Sequence, residues 1–379
     1  MAKILGVAST PYQLLVFLFI KDAYLSEDEV DLMITDKTAS MEELYQSGRL
    51  DPYFHKVFFG DGRKIKNPYK NAFVTFFESF IYNHTTDIIL DKPLGFYDQM
   101  YFASPGLPDE IVKEVAKSLI RKNKKLVFHR FEDGFASYTK MPAHVINTDL
   151  GIKMYKTLWH YDVEKTECDM WMFEPDMAER NVTFEKKQIE KTPERIEKII
   201  SMAKDIFQFQ VQVPDEKYIF LGQGTENGMQ NSKTYQRLIR QFRDIAGDDN
   251  FILKPHPRGE HDDFHGELKV YKDNCPFELA IASGEFEDKT LISFYSTACV
   301  SGKLLFKSKC RIIFLYPLAE DSFNEKCDYE GYFSAFSSLC DNVFIARSWD
   351  DVKRLCQDNH QENDKDNTKN NDREDRLIF

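Results

Sequence analysis

Short apolar runs alternate with stretches of helical periodicity along most of this chain, and that rhythm limits the folds open to it. In the first 135 residues, "KILGVAS" (3–9), "EVDLMIT" (29–35), "HKVFFG" (55–60), "DQMYFAS" (98–104) and "KLVFHRF" (125–131) read as strands. Between them lie "TPYQLLVFLFIKDAYL" (10–25), "TASMEELYQSG" (38–48), "NAFVTFFESFIYNH" (71–84) and "LPDEIVKEVAKSLIRKN" (107–123). The last sets Leu107, Ile111, Val112, Val115, Leu119 and Ile120 on one helical face. Strands that alternate with helices pair in parallel, because each crossover lays its helix on the sheet. The expectation is an α/β fold with a doubly wound parallel sheet.

Residues 140–192 break the rhythm and read as an irregular crossover. "TPERIEKIISMAKDIFQF" (192–209) then fits an amphipathic helix, capped by Thr192 with Pro193 at its first position. Alternation resumes at "KYIFLGQG" (217–224). A helix with Tyr235, Leu238, Ile239, Phe242 and Ile245 on one face follows, then a strand at 251–253, "LKVY", "PFELAIASG", "LISFYS", "TACVSGKLLF", "RIIFLYP", "NVFIA" and "SWDDVKRLC". With 379 residues, two domains are the default. The sequence therefore predicts two Rossmann-like domains, 1–192 and 193–356, facing one another across a cleft. Residues 357–379 form a polar tail too poor in apolar side chains to pack.

Composition excludes several functions. A net charge of −12 argues against a nucleic-acid binder, whose affinity comes from neutralising phosphates. Seven scattered cysteines without a CxxC pair suit a reducing compartment and offer neither a disulfide framework nor a zinc site. The apolar run Leu14–Ile20 is short for a membrane span and follows Pro11, so it reads as the buried part of a first helix. The expected location is the cytoplasm. Arg63, Lys64, Lys66 and Lys70 offer at most a peripheral contact with anionic lipid at the inner membrane.

In open α/β sheets, ligands bind beyond the carboxyl ends of the strands. Four loops there carry unusual residues: "GQGTENG" (222–228), "KPHPRGE" (254–260), "CPFE" (275–278) and "YSTA" (295–298). Pro255 and Pro257 bracket His256, each fixing φ and removing an N–H, so the imidazole stands on a stiff extended loop. Such a histidine is either a turn residue or a general acid. Ser296 and Thr297 open a helix, where they either cap it or donate to a phosphate. Glu278, in a first helical turn, either answers the helix dipole or accepts from ribose hydroxyls. In "FEDGFASY" (131–138), Glu132 and Asp133 sit at a strand end as base candidates, or form a plain Asp-Gly turn. "HDDFH" (261–265) reads as a solvated loop rather than a metal cluster. The DxD pattern Asp364/Asp366 falls in the tail.

Together, "EDG" (132–134), "HPR" (256–258) and "FYSTA" (294–298) occur in the order and spacing that resembles bacterial sialyltransferases of glycosyltransferase family 52, the lipooligosaccharide and capsule type. Related families share these three motifs. The resemblance spans roughly residues 3 to 350 and implies a GT-B fold, with an N-terminal acceptor-side domain and a C-terminal domain for the CMP-sugar. It implies an inverting, metal-independent transfer of sialic acid from CMP-sialic acid to a terminal galactoside, in α-2,3 linkage, with no cofactor. His256 would protonate the departing CMP phosphate, and Ser296 with Thr297 would bind it. Glu278 would hold the ribose, and Pro257, Arg258 and Gly222 complete the donor set. Asp133 is the first candidate for the base and Glu226 the second. A homodimer is also implied. Two rival functions remain at this stage: a GT-B transferase using another nucleotide-activated donor, and a non-catalytic glycan or nucleotide binder.

Overall fold

The computed structural model describes residues 1–64, 89–103, 110–138, 167–178, 185–223, 233–256, 264, 266–272, 276–322 and 329–357. The chain divides into two compact units. The first is Met1–Val211 with Asn274–Ala282 and Leu304–Lys307; the second comprises Gln212–Asp273, Ser283–Lys303 and the residues from Ser308 onward.

The first unit holds a seven-stranded sheet built from β1 (Lys3–Ala8), β2 (Glu29–Thr35), β3 (Val57–Gly60), β4 (Gln99–Ala103), β5 (Val127–Phe131), β6 (Glu167–Met172) and β7 (Glu185–Gln188). All neighbours pair in parallel, in the order β3-β2-β1-β4-β5-β6-β7. The five strands expected before residue 135 are all present. The crossover expected at 140–192 is corrected: it contributes β6 and β7. "EKKQ" has no apolar residue, and "ECDMWM" is short, with two acids among its six residues. Asp169 of β6 is satisfied by a neighbour two residues along the strand and by two from other strands. Asp169 meets His129 Nδ1 at 2.7 Å, Trp171 Nε1 at 3.0 Å and Lys187 Nζ at 2.7 Å.

Helix α1 (Pro11–Tyr24) starts where Thr10 Oγ1 accepts from the Gln13 N–H and Gln13 Oε1 reaches back to the Ser9 N–H, a reciprocal cap. Its run Leu14–Ile20 has no solvent exposure, as expected of an apolar stretch inside the fold. Helix α2 spans Ala39–Gln46, and α3 spans Glu110–Lys122 and buries Ile111, Val112, Val115 and Leu119 against the sheet. The helix expected at 71–84 lies outside the described residues. Helix α4 (Pro193–Phe207) has the expected cap, with Thr192 accepting from the Arg195 N–H, and Arg195 Nε binds Asp22 of α1 at 3.0 Å.

The second unit holds β8 (Tyr218–Leu221), β9 (Phe251–Lys254), β10 (Thr290–Ser293), β11 (Arg311–Phe314) and β12 (Val343–Ile345), all parallel, in the order β12-β11-β10-β8-β9. Helix α5 (Lys233–Ala246) buries Tyr235, Leu238, Ile239 and Phe242. Helix α6 (Phe277–Ala282) groups with the first unit. Helices α7 (Thr297–Phe306) and α8 (Tyr329–Leu339) and a last helix over 349–357 complete the described elements. "LKVY" makes a single bridge, Leu253 to Val270, rather than a strand. Each sheet is thus of the doubly wound parallel kind expected, and in each the winding reverses once: between β1 and β4, and between β8 and β10.

Gly6 in β1 lies under Phe17 of α1. A Cβ on Gly6 would fall 2.0 Å from Phe17 Cε1, and Phe17 is hemmed in by Phe54, Tyr101 and Phe131 at ring-centroid distances of 6.3, 6.0 and 5.9 Å. The ring has nowhere to go. Gly6→Ala is therefore expected to cost ~3 kcal/mol or more of folding stability, read by urea unfolding, and a stability equal to wild type would show that the ring can move aside.

Candidate functional site

In the second sheet the loops after β8, β9 and β10 leave from adjacent carboxyl ends. Gly222 follows β8, and its N–H donates to Lys254 O at 2.8 Å. A Cβ there would stand 3.2 Å from His256 N, 3.2 Å from Lys254 O and 3.4 Å from Pro255 Cα. A glycine leaves room for this close approach, since a Cβ would crowd the neighbouring backbone by a few tenths of an ångström, and the segment carrying Pro255 and His256 is seated against the end of β8. His256 itself is half-buried.

On the other side of β8 the end of β10 is tied in by side chains. Gln223 Nε2 donates to Ser293 Oγ at 2.6 Å, Ser293 Oγ donates to Leu221 O at 3.1 Å, and the Ser296 N–H donates to Ser293 Oγ at 3.0 Å. The Gln223 N–H donates to the Tyr235 hydroxyl of α5 at 3.2 Å. Ser296 caps α7, its Oγ accepting from the Ala298 N–H at 3.3 Å. Capping uses the oxygen and leaves the hydroxyl proton to donate. Thr297 is exposed at the first helical position, and its N–H and hydroxyl have no partner among the described residues. Capping and anion binding, alternatives in the sequence, are compatible here: Ser296 does the first and retains a donor for the second.

In the first unit, "EDG" divides into two unlike carboxylates. Glu132 has no exposure. It accepts hydrogen bonds from the hydroxyls of Tyr12 and Tyr138 and from the Phe173 N–H at 2.8 Å, while its own N–H donates to Trp171 O at 3.0 Å. Burial pushes the Glu132 carboxyl above the ordinary carboxylate range; its three hydrogen bonds and the Lys191 charge draw it partway back. Lys191 is held by Glu174 Oε1 at 2.7 Å and Leu304 O at 2.9 Å. Asp133, by contrast, is half-buried, its N–H donating to Ser137 Oγ at 2.7 Å. Gly134 follows with φ +72°, a left-handed turn that favours glycine. Glu132 is a structural hub, and Asp133 is the less buried of the two carboxylates.

His256, Gly222, Ser296 and Thr297 thus share one edge of the second sheet, and Asp133 stands at the carboxyl edge of the first. Glu278 is half-buried in the first turn of α6. Glu226, Pro257 and Arg258 lie outside the described residues, as do the histidines and aspartates of "HDDFH". Gln223 and Ser293 were not singled out from the sequence; a glutamine inside "GQG" and a serine closing an apolar strand were the available signals. One metal-like grouping occurs among the described residues, at the opposite edge of the first sheet. His55 Nδ1 lies 2.9 Å from Asp31 Oδ1 and 3.3 Å from Glu29 Oε1, but Lys3 Nζ already sits 2.8 Å from Glu29 and supplies the countercharge. Arg63, a candidate for lipid contact, is engaged by Asp61 at 2.7 Å and Glu42 at 3.1 Å. Among the described residues no helix is long and apolar enough to cross a membrane.

Residues 4–312 match the family Alpha-2,8-polysialyltransferase (POLYST). The chain belongs to that family. It is accordingly a member of a sialyltransferase family, in agreement with the reaction class that its three motifs imply. No curated protein matches the sequence. Among solved structures, the chain is similar to the spinosyn rhamnosyltransferase SpnG, at 9% identity over 97% of this chain and 91% of that one, with a TM-score of 0.48. It is also similar to the glycosyltransferase VinC in complex with DTDP (10% identity, 93% and 90% covered, TM-score 0.47) and to Arabidopsis thaliana UGT89C1 complexed with quercetin (11%, 95% and 90%, 0.45).

In this polysialyltransferase-family chain the buried Glu132 gives a stability signature. A carboxyl with a raised native pKa binds its proton more tightly folded than unfolded. Its contribution is therefore greatest below the ordinary carboxylate value and declines as pH rises through the native value. Relative to Glu132→Gln, wild type is expected to lose stability as pH rises above the ordinary carboxylate range, read from paired thermal melts. A difference between the two that stays flat with pH would contradict the raised native value.

Proposed function

We infer that this protein is a GT-B sialyltransferase that takes CMP-sialic acid as donor and extends a sialylated glycan. Family membership supports the transfer of sialic acid, and the family's name favours a sialic-acid-terminated acceptor and α-2,8 linkage over the galactoside and α-2,3 linkage implied by the family-52 motifs. The observation that carries the reading is the shared edge in the second unit, where Gly222 seats the His256 segment and Ser293 fixes the loop carrying Ser296 and Thr297.

The anomeric carbon of sialic acid is tertiary and bears a carboxylate, so its bond to the CMP phosphate oxygen breaks well ahead of attack. In this reading the His256 imidazolium gives its proton to that departing oxygen, and the Ser296 hydroxyl with the Thr297 N–H and hydroxyl donate to the phosphate. The acceptor hydroxyl forms the new C–O bond and passes its proton to Asp133, with Glu226 as the alternative base. Glu278 and Arg258 belong to the donor set. No metal or cofactor is required by these steps. A cytoplasmic homodimer, touching the inner membrane only at its periphery, goes with this reading.

The test is transfer from CMP-sialic acid to a panel of galactosides and sialylated galactosides, with EDTA present and product linkage determined. Product is expected on sialylated acceptors. His256→Ala should keep the wild-type fold by circular dichroism and lose ~10²-fold or more in turnover. Asp133→Asn and Glu226→Gln identify the base by which of them loses transfer. Absence of turnover and of CMP binding by wild type would reject the reading, and full activity in His256→Ala would remove the histidine as acid.

A further inference from the structure

We propose that Gln223 and Ser293 are positioning residues that set the phosphate-binding loop of this site before any donor arrives. The proposal rests on the donor reading above and adds to it the device that orders Ser296 and Thr297.

The winding of the second sheet reverses between β8 and β10, so the chains that follow them cross to opposite faces and open a crevice between the two strand ends. Backbone ladder bonds stop there. The gap is bridged by side chains: Gln223, directly after Gly222, reaches over to Ser293, the last residue of β10. Both are buried, Gln223 at 3% exposure and Ser293 at none. A hydroxyl in such a place is costly unless fully bonded. Ser293 Oγ is fully bonded, donating to Leu221 O and accepting from Gln223 Nε2 and the Ser296 N–H. Gln223 Nε2 also approaches Leu221 O at 3.4 Å.

The direction of the last of these bonds matters. The Ser296 N–H is committed to Ser293 and points back into the sheet, so the peptide that precedes α7 cannot rotate. Ser296 Oγ is then left to cap the helix, and Thr297 is left at its exposed first position. Donors fixed in advance need no reordering when an anion arrives, which is where such a loop gains its affinity. With alanine at 293, the Ser296 N–H and the Gln223 amide lose their shared acceptor. The loop is freed although no residue that would touch the phosphate has changed.

The probes are CMP and cytidine, which differ only in the phosphate, titrated calorimetrically into the full-length protein. Wild type is expected to bind CMP at least about tenfold more tightly than cytidine, the worth of a charge-assisted hydrogen bond or two. In Ser293→Ala that preference should fall to about threefold or less while cytidine affinity stays near wild type, a pattern that general loosening of the fold would not produce. Gln223→Met, which keeps the Ser293 hydroxyl and its bond to Ser296, should fall between the two; it decides the matter alone if Ser293→Ala does not fold. An unchanged CMP preference in the folded variants overturns the proposal and leaves the donor reading standing. A wild type that does not distinguish CMP from cytidine overturns the donor reading, and the proposal with it.

Discussion

Everything at the candidate site depends on a parallel ladder that ends without closing. Parallel strands buried on both faces are held by their backbone bonds and by helices, and they leave a seam wherever the winding changes direction. In the second unit that seam falls between β8 and β10, and in the first between β1 and β4. Each seam is flanked by polar groups that would be out of place inside a core. At the first, Thr10 and Gln13 cap α1 and Tyr12 reaches Glu132; at the second, Gln223 meets Ser293. The candidate site lies where the fold has no apolar way to complete itself.

The two units use their polar residues differently. In the second, Gly222 admits the His256 segment close against the end of β8, and a fully bonded hydroxyl holds the loop before α7. In the first, a buried carboxylate gathers α1, the turn after β5 and the end of β6 onto one side chain. That carboxylate is spent on structure. Its neighbour Asp133 is half-buried.

The sequence was informative where one residue type carries one meaning. Apolar runs bounded by turn residues marked ten of the strands, Pro11 preceded the buried run of α1, and Thr192 before Pro193 marked the start of α4. It was uninformative where meaning comes from a neighbour brought up by folding. The charged strand β7, at the sheet edge, shows no apolar alternation, and β6 hides an aspartate whose partners His129 and Lys187 lie far away in sequence. In the site, prolines and hydroxyls advertised the loops of His256 and Ser296. Ser293 could not be read, because its value lies in β8 standing beside β10 rather than in any spacing along the chain. The distinction between Glu132 and Asp133 was unreadable for the same reason: two adjacent acids differ only in which one faces Tyr12, Tyr138 and Phe173.

The contact between Gly6 and Phe17 bears on how such a sequence can diverge. Because the ring occupies the volume any side chain at position 6 would need, neither position can drift independently. A lineage that gained a methyl at 6 would have to shrink the residue at 17 in the same step or pass through an unstable intermediate. The pair should therefore be inherited as a unit, glycine with a large ring or a small side chain with a small one. That linkage would mark true relatives of this chain even where the three short motifs alone are too brief to do so.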